Sequence, residues 1–139
     1  MIDYDKIFGA GSNQRAQEVY ERERLFFHEA ERRLLGALIV NNDDFGEIAG
    51  LRAEHFQTEL HRRLFEVALQ LNRANKIASV VTIKNIFDSI KKADSPIEDN
   101  GLSVAKYLAD CAANSSPYCV SKSLASLIKS YARARQARA

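Results

Sequence analysis

An apolar spacing of about 3.6 residues recurs along this chain, which is the period of a helix face and not of a strand. It is clearest from His28 to Val40, where Ala30, Leu34, Ala37 and Leu38 fall at i, i+4, i+7 and i+8. The same spacing returns in Leu60, Leu64, Val67, Ala68 and Leu71. Ile83, Ile86, Phe87 and Ile90 share a face that argues helix in spite of their β-branched members. Val104, Tyr107, Leu108 and Cys111 form a further stripe, and Val120, Leu124, Leu127, Ile128 and Tyr131 the last. No segment places apolar and polar residues strictly in turn, so the fold class is all-α.

Helix signals punctuate these stripes. Asp43 or Asp44 can cap a short helix carrying Phe45, Ile48 and Ala49 before Gly50 stops it, and Thr58 can cap the next long helix, with Asn75 near its end. Ser79 or Thr82 starts a further helix and Ser103 another. The stretch from Ala93 to Gly101 collects Asp94, Ser95, Pro96, Asp99 and Asn100 and reads as a loop, while Pro117 suits the first turn of the final helix. The expected organisation is an arm over residues 1–27, loose at first and then a marginal helix. A globule over 28–100 and an αα-hairpin over 101–139 follow, giving about five to six helices before the hairpin. The dense charges of the arm (Arg15, Glu18, Glu21, Arg22, Glu23, Arg24) leave only a thin apolar stripe of Ala16, Val19 and Tyr20.

At 139 residues, 46% apolar and 27% charged, the chain has the size and composition of one folded domain. Two cysteines, Cys111 and Cys119, are too few for a disulfide framework, which favours a reducing compartment. The longest uncharged apolar run, Leu34 to Val40, falls far short of the roughly 20 residues that span a bilayer. Charge is uneven. The residues after Asp110 include Lys122, Lys129, Arg133, Arg135 and Arg138 and no acid, so they carry +5; by difference from the total of +2, the rest carries −3.

The residues that carry common chemistries are missing or badly spaced. There is no glycine-rich loop followed by Lys-Ser or Lys-Thr to cradle phosphate. His28, His55 and His61 include no pair four residues apart, the spacing that sets two metal ligands on one helix face. Cys111 sits on an expected core face, where a small hydrophobe is the commoner role. Acid pairs such as Glu29 with Glu31, or Asp43 with Asp44, are explained by helix starts and loops. Catalytic, cofactor and metal residues are therefore all expected to be none. Gly36 stands out because glycine within a periodic helix costs about 1 kcal/mol relative to alanine, and close approach of another backbone is the usual compensation.

The run Glu29-Ala30-Glu31, then Leu34-Leu35-Gly36-Ala37-Leu38-Ile39, resembles the opening helix of the N-terminal domain of the DnaB-type replicative DNA helicases. The resemblance continues in order through Leu51, Phe56, His61, Leu64, Phe65 and Leu71, then Ile77, Val81 and Thr82, then Gly101 with Tyr107-Leu108. It closes on Ser116-Pro117 and a last helix ending in Tyr131 and basic residues. Gln57 stands where that family usually has tyrosine, Ser79 where it has aspartate, and Gly101 alone where two glycines are common, the marks of a divergent member of phage or other mobile origin.

The resemblance implies a non-catalytic interaction domain that pairs subunits (a homo-oligomer, hexameric in the parent helicase) and docks primase or a helicase loader during DNA replication in a bacterial cytoplasm. It implies that ATP, magnesium and most DNA contact belong to a separate C-terminal domain. Two other readings stay open: the helicase-binding C-terminal domain of a primase, and a basic helical nucleic-acid-binding module. For self-association or partner binding the residues singled out are Leu124, Leu127, Ile128 and Tyr131, a stripe with more apolar surface than one short neighbour needs, together with Lys129 and Arg133. Gly36 and His61 are expected to be structural.

Overall fold

The computed structural model describes residues 11–89, 101–115 and 121–138. Within them lie five α-helices: α1 (Gly11–Val40), α2 (Glu59–Arg73), α3 (Val80–Ser89), α4 (Gly101–Ala113) and α5 (Ser121–Arg138). Two 3-10 turns, Asn42–Glu47 and Ala53–His55, fill the connection between α1 and α2. The described residues contain no strand, so the fold is all-α. Residues 1–10 of the expected loose arm, Ile90, Cys119, Pro117, Val120 and most of the 93–101 loop lie outside the described residues, and the arm's last residues already belong to α1.

The marginal helix and the firm helix expected on either side of residue 28 are one continuous α1 of 30 residues. No proline or helix-stopping turn separates them, so the backbone ladder runs through. At 1.5 Å per residue α1 is about 45 Å long, and only its C-terminal part is covered. Leu34, Leu35 and Leu38 are fully buried in the core together with Phe56, Leu64, Phe65, Ile83, Val104, Leu108 and Ile128.

Local chemistry ends and starts these helices. After α1, the Asn42 amide donates to the carbonyls of Leu38 (2.8 Å) and Ala78 (2.9 Å) and accepts from the Ala78 N–H (2.7 Å), tying the end of α1 to the approach of α3. Asn75 follows α2 with φ +59°, the left-handed conformation asparagine tolerates, and the Lys76 N–H donates back to the Leu71 carbonyl. At the start of α3 the Ser79 N–H donates to Thr82 Oγ1 at 2.8 Å and the Thr82 N–H to Ser79 Oγ at 3.2 Å, a reciprocal cap. Thr58 precedes α2 as expected, yet its hydroxyl is turned to His28 Nδ1 at 3.0 Å and makes no cap bond.

The helices expected as a globule and those expected as a hairpin share one hydrophobic core. Both α4 and α5 pack on α1, and Val104 and Leu108 of α4 and Ala125 and Ile128 of α5 belong to the same cluster as the leucines of α1. The physical reason is that α1 offers apolar residues around most of its C-terminal circumference, enough to seat α2, α4 and α5 at once.

Candidate interaction site

Three helices meet at a buried polar relay. Glu31 of α1 and His61 of α2, 1% and 0% exposed, are joined by a bond between Glu31 Oε1 and His61 Nδ1 of 2.7 Å. The second His61 nitrogen, Nε2, is 2.5 Å from the hydroxyl of Tyr107 on α4. The other Glu31 oxygen accepts the Gln57 N–H at 2.8 Å, and the Gln57 side-chain amide donates to the Arg24 carbonyl at 2.7 Å. With a neutral imidazole, Nδ1–H donates to the carboxylate and the phenol donates to Nε2. Both ring nitrogens are then used, which satisfies the requirement that buried polar groups find partners and leaves neither nitrogen to a substrate. Burial pushes the Tyr107 phenol well above its ordinary range, so it stays protonated as the relay requires.

The His28 ring lies tilted against that of His61, centroids 4.7 Å apart. Burial, reinforced by His61 alongside, holds His28 below its ordinary range. In front of it lies a cleft of about 440 Å³ lined by Arg24, Leu25, His28, Gln57 and Thr58. On the other side, the Arg32 guanidinium lies 5.3 Å from the Tyr107 ring centroid and 3.5 Å from Glu29. Cys111 is buried below it, and burial pushes its thiol up, away from the range in which a cysteine is a nucleophile. The described residues contain no cluster of three or more potential metal ligands.

Gly36 marks a close helix contact. A Cβ built there would lie 2.1 Å from the Cys111 carbonyl oxygen and 2.6 Å from its carbon, so α1 and α4 cross with backbone against backbone. Glu31 and Tyr107 flank the same crossing, which is why the relay can span it.

The stripe singled out on the last helix is placed differently from what its composition suggested. Ile128 is 2% and Tyr131 6% exposed, and Leu124 and Leu127 are half-buried, Leu124 against the core. Tyr131 stacks flat on Phe27 of α1, centroids 3.8 Å apart and planes 7° from parallel, and the Arg135 guanidinium lies 5.2 Å from its ring centroid. Ile128 and Tyr131 are therefore packed within the chain's own fold. The reason is that α5 lies against α1 and both 3-10 turns: Ser121 Oγ donates to Asp44 at 2.8 Å and Arg135 to the His55 carbonyl at 2.8 Å. Lys129 and Arg133 stay on the rim near His55 and Arg52. Burial, then Arg52, then these two cations hold His55 below its ordinary range.

Two features were missed by reading the sequence. Glu31 was assigned to a helix start, whereas it lies deep within α1 and is buried; its signal was a carboxylate four residues before Leu35 on an otherwise apolar face. The second is the outer half of α1, where Val19, Tyr20, Leu25 and Phe26 are all exposed. A thin stripe was legible there, but its exposure was not.

No curated protein and no solved structure matches the chain significantly. The sequence model of one family does match, over residues 24–133, a range that takes in the relay, the Gly36 crossing and every described helix from α2 to α5 except the last few residues of α5. The chain belongs to the DnaB-like helicase N terminal domain family.

Proposed function

We propose that this chain is the interaction module of a replicative DNA helicase: copies of it associate, and primase or a helicase loader docks on it, while ATP is handled elsewhere in the helicase. The observation that carries this reading is the family match over residues 24–133. Two further points support it. The sequence lacks a glycine-rich loop with Lys-Ser or Lys-Thr to hold nucleotide phosphates. The polar network at the centre of the fold has its hydrogen-bonding atoms committed to holding three helices in fixed register, which suits a rigid docking scaffold.

The test is a titration of the chain against the primase and the helicase loader encoded in the same genome, by interferometry, alongside labelled ATP. Binding of one of the two proteins with micromolar or tighter affinity, and no ATP binding in that range, is the expected result. Failure of both proteins to bind, or tight binding of ATP, would overturn the assignment.

A further inference from the structure

The outer half of α1 carries a self-complementary octet, Val19-Tyr20-Glu21-Arg22-Glu23-Arg24-Leu25-Phe26. Read forwards on one helix and backwards on another, it sets apolar residues against apolar residues at both ends and every charge against its opposite. Val19 meets Phe26, Tyr20 meets Leu25, Glu21 meets Arg24, and Arg22 meets Glu23. Helix geometry selects which of these face a neighbour. Val19, Arg22, Glu23 and Phe26 stand at i, i+3, i+4 and i+7, the spacing of a single stripe and of the seam between two packed helices. Val19 is 56% and Phe26 59% exposed, Arg22 is exposed, and Glu23 is half-buried.

From this we infer that α1 of one copy pairs antiparallel with α1 of a second copy about a two-fold axis between Arg22 and Glu23. In a two-fold interface each contact occurs twice with its members exchanged. The seam then has two Arg22–Glu23 ion pairs at its centre and a Val19–Phe26 contact at each end. Glu21 and Arg24, already bridged within one helix at 3.0 Å, stand at matching height on its flanks with opposite sign. A parallel pair would set each charge against its own kind, so the octet selects direction as well as partner. Val19, Arg22 and Glu23 precede the region matched by the family, so the seam is carried largely by residues outside it. The inference rests on the self-association proposed above and names the surface that performs it.

Charge exchange tests the seam, because each Arg22 faces a Glu23 of the other copy. Sedimentation velocity is run on the wild type, on Glu23→Arg, and on the double variant Arg22→Glu/Glu23→Arg, with circular dichroism to establish that all three remain helical. Glu23→Arg sets like charges together at both central pairs and should weaken dimerisation about tenfold or more. The double variant restores opposite charges and should recover most of that loss. A wild-type dimer indifferent to Glu23→Arg, or a double variant as weak as the single one, overturns the seam while leaving self-association standing. A wild type that stays monomeric overturns both.

Discussion

Replacing His61 with alanine should lower the free energy of unfolding by about 3–5 kcal/mol, the usual cost of removing one partner from a buried pair. The Glu31 carboxylate would remain 1% exposed with the Gln57 N–H as its surviving partner in the relay, and the Tyr107 hydroxyl would lose its acceptor. The cavity left by the imidazole adds to this in the same direction. Since the whole stability of a domain of this size is about 5–15 kcal/mol, the variant should be close to unfolded at physiological temperature. Tyr107→Phe is the graded comparison: it removes one hydroxyl and keeps the Glu31–His61 bond, so it should cost only about 1 kcal/mol. Urea unfolding followed by circular dichroism measures both. A His61→Ala variant within about 1 kcal/mol of the wild type would show that the relay is not what joins α1, α2 and α4.

At Gly36 the second large effect is expected, and its sign separates two simple accounts. On an exposed helix position, replacing glycine with alanine stabilises by about 1 kcal/mol. Here the new Cβ would meet the Cys111 carbonyl oxygen at 2.1 Å and the next peptide nitrogen, Ala112 N, at 3.1 Å. These are backbone atoms of α4 and have no side-chain torsion with which to move aside. Helices α1 and α4 would have to separate, disturbing the packing of Leu35, Val104 and Leu108 and stretching the Glu31–His61–Tyr107 chain. Gly36→Ala should therefore destabilise by about 1–3 kcal/mol, and Gly36→Leu by more. The same urea titration decides it: a gain in stability for Gly36→Ala would mean that the crossing opens freely.

Much of this architecture was legible because its signal is local. The apolar stripes at Ala30–Leu38, Leu60–Leu71 and Val104–Cys111 follow from helix periodicity, and all three segments are helical with those faces inward. Asn75 after α2 and Ser79 before α3 sit where their chemistry places them, whereas Thr58 stands before α2 as expected but makes no cap bond. What was not legible depends on which surface meets which. The stripe of α5 looked too large for one neighbour, but α5 has several: Phe27 stacks on Tyr131, Asp44 receives Ser121, and the His55 carbonyl receives Arg135. No property of residues 121–138 taken alone reports those partners. The relay was hidden for the same reason. Glu31 and His61 are separated by 30 positions, and His61 and Tyr107 by 46, so neither pairing has a local signature. In the outer half of α1 the opposite holds: the charges that made the segment look like a solvated face are arranged as a palindrome, a pattern that periodicity does not register.

A chain that serves as a surface for meeting other chains should first meet its own copies, and that association is the most direct measure of the role. Sedimentation equilibrium of the wild-type chain, from low micromolar to several hundred micromolar at moderate salt, should give a weight-average mass that rises with concentration to that of a dimer or higher assembly. A mass that stays at the 15.6 kDa of a single chain throughout that range would contradict it.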